Sequence, residues 1–155
     1  MRGLAAALVA LCAAGVGPAH ADGLDDAVAG TLWGEAPEAL QRHFGMRGVA
    51  LPQPLDFGDS YAPLIVRGIK IGGLPLIAYY QIDKITHGLK RIQLERPRHG
   101  VNAGAFRGVF LALDADYGAP DAYCGTLPGP TTAYQGAAEY VWGRGRSVIR
   151  AVFRD

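Results

Sequence analysis

Residues 64–96 read LIVRGIKIGGLPLIAYYQIDKITHGLKRIQLER. Leu64–Ile71 is rich in β-branched residues and ends at Gly72-Gly73, a pair that tolerates the positive φ of a tight hairpin turn. Leu74–Ile82 is a second apolar run containing Tyr79-Tyr80, and Asp83–Gly88 turns the chain again. Leu89–Arg96 then alternates, with Ile92 and Leu94 on one face and Arg91, Gln93 and Glu95 on the other. Strands joined by turns this short are antiparallel, because a parallel pair needs a crossover of a dozen or more residues. The last alternation is that of a sheet with one face on a core and the other toward water.

Upstream, Pro37 sits at a favoured first helical position, and a helix is expected from Pro37 to Phe44 with Gly45 as its C-terminal cap. Leu40 and Phe44, four apart, form its apolar stripe, and Trp33 is expected to pack near its start. Asp22–Thr31 reads as a polar lead-in with a helical turn near Asp25–Ala29. Met46–Ala62 holds Pro52, Pro54, Asp56, Gly58 and Asp59 and reads as a loop.

Downstream lies the clearest helix of the chain. Phe106, Val109, Phe110, Leu113 and Tyr117 make one broad stripe, Asn102 is a suitable N-cap, and Gly118 with Pro120 ends the run. A Gly/Pro/Thr loop from Gly125 to Thr132 leads to a final hairpin, Ala138–Trp142 and Ser147–Arg154, turning at Gly143-Arg144-Gly145. The expected order is α-β-β-β-α-β-β. Amphipathic helices must bury their stripes against the largest apolar surface. The expected architecture is therefore one α+β domain over residues 22–155: two helices on one face of a curved antiparallel sheet whose other face is open.

Residues 1–21 have the anatomy of a secretory signal peptide: the charge of Arg2, a short apolar run from Leu4 to Val16, and the cleavage signal Ala19-His20-Ala21. The run is too short to span a bilayer. The mature chain is then expected to start at Asp22 and to work in the periplasm. Cys12 lies inside the apolar run, and Leu11 stands where a lipoprotein signal carries Gly, Ala or Ser. Cys124 is then alone in the mature part and has no internal disulfide partner. It reads as a small buried hydrophobe, with a free reactive thiol or an intermolecular bridge in a homodimer as the alternatives.

Half of the 155 residues are hydrophobic and 19% are charged, the composition of a folded chain. Basic and acidic residues number 15 and 14, and loss of Arg2 brings them level. A neutral exported chain is a poor non-specific partner for nucleic acid.

The pattern of helix, aromatic, glycine, loop and strands occurs twice, at Phe44-Gly45 and at Tyr117-Gly118-Ala119-Pro120. Followed by Tyr140-Val141-Trp142-Gly143-Arg144-Gly145 and Val148-Ile149, the second copy resembles the corresponding half of small exported α/β proteins. The resemblance, over roughly Leu32 to Phe153, is to the β-lactamase-inhibitor-protein-like fold and the small lipoprotein of the outer-membrane assembly machinery. It implies a protein that is not an enzyme and presents a sheet or loop surface to another protein. The chain departs from that group in having neither a well-placed lipid-anchor cysteine nor a cysteine pair in the mature part, which argues against direct membrane tethering.

Among chemistry-bearing residues, His43, His87 and His99 show no i,i+4 spacing and no carboxylate cluster, so neither a metal nor a cofactor is expected. The surroundings of Cys124 match no cysteine-hydrolase signature, and the serines Ser60 and Ser147 stand in no nucleophile motif. No catalytic residue is therefore assigned. The final hairpin carries the best interaction signal. Interface centres favour Tyr, Trp and Arg, which makes Tyr140, Trp142, Arg144, Arg146 and Arg150 the candidate binding residues. The alternative for the arginines, with Arg154, is an edge strand guarded by charge; for the aromatics it is a place in the core. The expected function is an exported accessory protein that docks onto a larger periplasmic or membrane-associated protein, for example as a small subunit of a periplasmic complex. The alternative is a small-ligand carrier with a pocket between helices and sheet lined by Phe106, Phe110, and Tyr79 or Tyr80.

Overall fold

The computed structural model describes residues 22–98, 100, 102–125 and 137–154. The leader 1–21 with Cys12, His99, and all of the Gly125–Thr132 loop but Gly125 lie outside the described residues. The chain forms α1 (Asp22–Val28), α2 (Pro37–Phe44) and a 3-10 turn (Gly45–Arg47), then β1 (Gly48–Asp56), β2 (Ser60–Ile71), β3 (Leu74–Asp83) and β4 (Leu89–Glu95). It continues with α3 (Ala103–Tyr117), β5 (Ala122–Cys124), β6 (Ala137–Arg144) and β7 (Ser147–Arg154).

Every strand pair is antiparallel, as the short turns require. The strands nevertheless form two sheets where the sequence led us to expect one: β1-β2-β3-β4 and β5-β6-β7. The link between β4 and β5 is α3, so no tight turn dictates the pairing of strands across it. Two further corrections lie upstream: Met46–Ala62 holds β1 and the start of β2 in place of a loop, and Asp22–Val28 makes a helix more extensive than the expected turn. Prolines are admitted at Pro52 and Pro54 because β1 is an edge strand and its register jumps between Ala50 and Leu55, where no ladder hydrogen bond is lost. The last hairpin turns at Gly145-Arg146, because β6 runs two residues past the expected Trp142, with Gly145 at φ 61°.

One continuous core joins both sheets with α1, α2 and α3. In β3, Ala78, Tyr80 and Ile82 point inward and meet Leu94, Ile92 and Leu89 of β4 on the same face. Phe44 of α2 packs its ring 4.7 Å from that of Tyr80, whose hydroxyl donates to the Ala27 carbonyl of α1 at 2.8 Å. The expected N-cap of α3 is present, with Asn102 Oδ1 accepting from the Ala105 amide at 2.8 Å. Phe110 of α3 lies 4.6 Å from Tyr140 and 5.8 Å from Trp142, centroid to centroid, and so binds the helix to the second sheet. On its other flank α3 meets the β2–β3 turn. A Cβ on Gly72, which has φ +56°, would stand 2.3 Å from the Gly108 carbonyl oxygen. Helix α3 is thus a wedge between the sheets, and Gly72 permits its close approach.

Candidate functional site

In its two sheets, β4 and β7 are edge strands, each with one side that faces no strand among the described residues. Between them runs an open cleft of about 1280 Å³. Period-two alternation explains its floor. Register pairs Ile92 and Leu94 with core-facing Tyr80 and Ala78, and pairs Ile149 with core-facing Trp142, so β4 and β7 both send apolar side chains inward. Phe106 and Val109 of α3, with Leu24 and Leu74, complete the floor, and all of these are only half-buried. Small-molecule pockets measure roughly 300–1,000 Å³ and enclose most of their ligand. This cleft is larger and open along its length.

The rims are cationic. Lys90, Arg91, Arg96 and Arg98 line it from the β4 side, and Arg146, Arg150 and Arg154 from the β7 side, against one acid, Glu95. Four of these cations are already engaged. Lys90 pairs with Asp59 and Asp83, both at 2.8 Å, which holds its ammonium above the usual lysine range. Asp83 is in turn held well below the carboxylate range by Lys90 and by the Thr86 and Ile85 amides. Arg91 donates to Gln81 Oε1 at 3.0 Å, and Gln81 is wholly buried. Arg96 donates to the Gly100 carbonyl, and Arg150 grips Glu139 Oε1 at 2.6 and 2.9 Å. Arg98, Arg146 and Arg154 have no ion pair among the described residues, and all three are exposed.

One end of the cleft is closed by the segment before α2. The Gly34 amide donates to the Leu89 carbonyl at 2.9 Å, and the Leu89 amide donates to the Glu35 carbonyl at 2.8 Å. Beside them Trp33 Nε1 donates to Ser147 Oγ at 2.8 Å. The segment therefore takes the first position on the free side of β4 and reaches across to β7. Trp33 is expected from sequence beside α2; it instead spans the gap between the sheets.

The structure redistributes the residues expected at a binding surface. Tyr140 and Trp142 are both 0% exposed, which corrects their assignment as surface residues. Their faces decide this: they pair with Ala151 and Ile149 on the core side, whereas Arg150 pairs with Val141 on the opposite side. Trp142 Nε1 spends its donor on the Gly118 carbonyl at 2.7 Å. Arg144 is exposed but lies over the Tyr117 ring at 4.7 Å and donates to the Tyr117 carbonyl at 2.6 Å. That ring's hydroxyl is pushed up to about 12, by burial first and then by Asp25. Arg146 and Arg150 do line the cleft. Cys124 is exposed on the edge strand β5, so the expectation of a buried thiol is wrong.

Phe106, Phe110, and Tyr79 or Tyr80, expected to line a ligand pocket, do not line one cavity together. Phe106 lines the cleft, Phe110 and Tyr80 are in the core, and Tyr79 is on the far face of its sheet, 6.2 Å from Phe57. His43 and His87 are exposed on separate elements, and no metal-binding group of three or more ligands occurs among the described residues. The β4 rim escaped the sequence reading, although Lys90, Arg91, Arg96 and Arg98 within nine residues are a visible cationic run.

No known protein family, curated protein or solved structure matches the chain. Among the described residues no helix is long and apolar enough to cross a membrane.

Proposed function

We propose that this chain is a non-enzymatic exported accessory protein that holds a segment of a larger protein partner in the cleft between β4 and β7. The observation that carries this reading is the cleft itself: an apolar floor, two strand sides free among the described residues, and cations on both rims, of which Arg98, Arg146 and Arg154 have no ion pair among the described residues. Its size and openness suit a polypeptide better than a small molecule. Interfaces of this kind place half-buried apolar side chains at the centre and charged groups at the border. The export signal read in residues 1–21 sets the compartment of this proposal.

The test is photo-crosslinking in the producing cell with a benzophenone amino acid at position 106, on the cleft floor. Position 85 serves as the control, since Ile85 is 87% exposed and does not line the cleft. A discrete protein adduct at 106 and none at 85 is expected. No adduct at 106, or the same adducts at both positions, refutes the proposal. The alternative, a small-ligand carrier, is read out by native mass spectrometry: a constant non-covalent mass retained across preparations would replace the docking reading.

A further inference from the structure

The cleft says more about its occupant than that it is a polypeptide. Resting on the docking reading above, we infer that the occupant is an extended acidic strand, added to the free side of β7 and β4, with carboxylates alternating with apolar residues.

Three observations converge on this. First, β7 presents eight consecutive residues, Ser147–Arg154, paired with β6 on one side and, among the described residues, with no strand on the other. An open edge of this length is a template for one further strand of about eight residues, roughly 26 Å at 3.3 Å per residue. Second, the β4 edge already accepts chain in this manner, since Leu89 exchanges two backbone hydrogen bonds with Gly34 and Glu35. Those contacts stop at Leu89, and Lys90–Glu95 continues past them with its free side open. Third, the side chains favour alternating chemistry. The floor between the edges is apolar (Ile92, Phe106, Val109, Ile149), while Arg98, Arg146 and Arg154 at the rims lack counter-charges among the described residues. A strand that places apolar residues toward the floor and carboxylates toward the rims satisfies both at period two.

The same chemistry disfavours the nearest competitors. A second copy paired antiparallel through β7 would set Arg150 against Arg150 and Arg154 against Arg146 when centred on Arg150, or Arg150 against Arg154 when centred on Val152, and like charges across strands destabilise pairing. The stretches of this chain outside the described residues at 1–21 and 126–136 contain no Asp or Glu. Neither of those stretches therefore supplies the acidic strand, and its inferred source is another protein.

The experiment uses the mature chain and a capped octapeptide alternating Glu with Val and Ile. Comparison ligands are the same composition in two blocks, a version with Lys in place of Glu, and a single-stranded oligonucleotide of equal charge. Binding is followed by calorimetry up to roughly millimolar ligand and by hydrogen exchange of the β4 and β7 amides. The alternating acidic peptide is expected to bind, to weaken as salt rises, and to slow exchange along β7 and along residues 90–95. The double variant Arg146→Glu with Arg154→Glu, at two exposed positions outside any ion pair, is expected to keep the wild-type unfolding midpoint and to weaken binding by about tenfold or more. Preference for the Lys peptide or the oligonucleotide overturns the inference. So does binding without slowed exchange on either edge, or a peptide-free dimer in which those edges are already protected. If position 106 crosslinks a protein while the acidic peptide fails to bind, the strand inference falls and the docking reading stands; if neither occurs, both fall.

Discussion

Replacing Trp142 with Phe separates a core residue from a contact residue. The indole is completely buried, and its N–H serves the Gly118 carbonyl at the end of α3 at 2.7 Å. Phe keeps an aromatic ring against Phe110 but removes that donor, and losing this part-buried hydrogen bond costs about 1–2 kcal/mol. The smaller ring vacates roughly 40 Å³, which at about 24 cal/mol per Å³ adds about 1 kcal/mol. The expected loss is therefore about 2–3 kcal/mol, against a total stability of about 5–15 kcal/mol for a domain of this kind. At roughly 4 °C per kcal/mol the melting temperature falls by about 8–12 °C. Urea unfolding followed by far-ultraviolet circular dichroism reads the change, with an unaltered denaturant slope showing that the transition stays the same. Arg150→Ala is the companion variant. Its side chain is 61% exposed and its pair with Glu139 is a surface one, so the midpoint should move by no more than about 0.5 kcal/mol. If Trp142→Phe leaves the midpoint where it was, the burial argument is refuted and Trp142 returns to the binding surface.

Gly72→Ala should destabilise far more than Gly73→Ala. Both glycines have positive φ, costing about 1–2 kcal/mol for Ala, but only at position 72 does the new Cβ overlap the Gly108 carbonyl; equal melting temperatures would contradict the wedge described for α3. Tyr80→Phe leaves the Ala27 carbonyl without its donor and should cost about 1–2 kcal/mol, with faster amide exchange in α1 and little change in β2. Asp83 is held below the ordinary carboxylate value of about 3.9, so the stability it contributes is present above that pH and is lost as pH falls toward its lowered folded value. Asp83→Asn should therefore lower the urea midpoint at pH 7 and flatten its decline between about pH 5 and pH 2; an unchanged acid limb would remove Asp83 as a contributor.

Where local chemistry alone fixes an element, the residues announced it. Asn102 caps α3 through a hydrogen bond within its own turn, and Gly72-Gly73 bends the chain with no help from distant parts. The alternation of Arg91, Ile92, Gln93 and Leu94 needed only the pleat, and the register bears it out. What stayed illegible was decided at a distance. β1 is admitted by its place at an edge, which its own residues, with Pro52 and Pro54 among them, do not encode. The division into two sheets depends on how α3 lodges between strands that are far apart in sequence, and both arrangements use the same strand patterns.

The aromatics of the last hairpin show why the site itself was harder to read than the fold. Tyr140 and Trp142 have the composition of an interface centre, yet period two gives a strand two faces and does not say which one the core takes. The choice falls to volume. Phe106, Phe110 and Phe153 converge on one side of β6, with ring centroids 4.6–6.0 Å from Tyr140 or from each other, and only large partners fill the space between α3 and the sheet. Once the aromatics are consumed there, the arginines are left on the other face and at the rim, and the proposed binding surface moves from the strand face to the strand edge. That displacement has a consequence for affinity. An edge contributes backbone hydrogen bonds, which any extended chain can satisfy, so selectivity must come from the floor and the rims. Phe106 and Val109 below, with Arg146 and Arg154 above, are then the positions at which a change should alter which partner is held more than whether one is held.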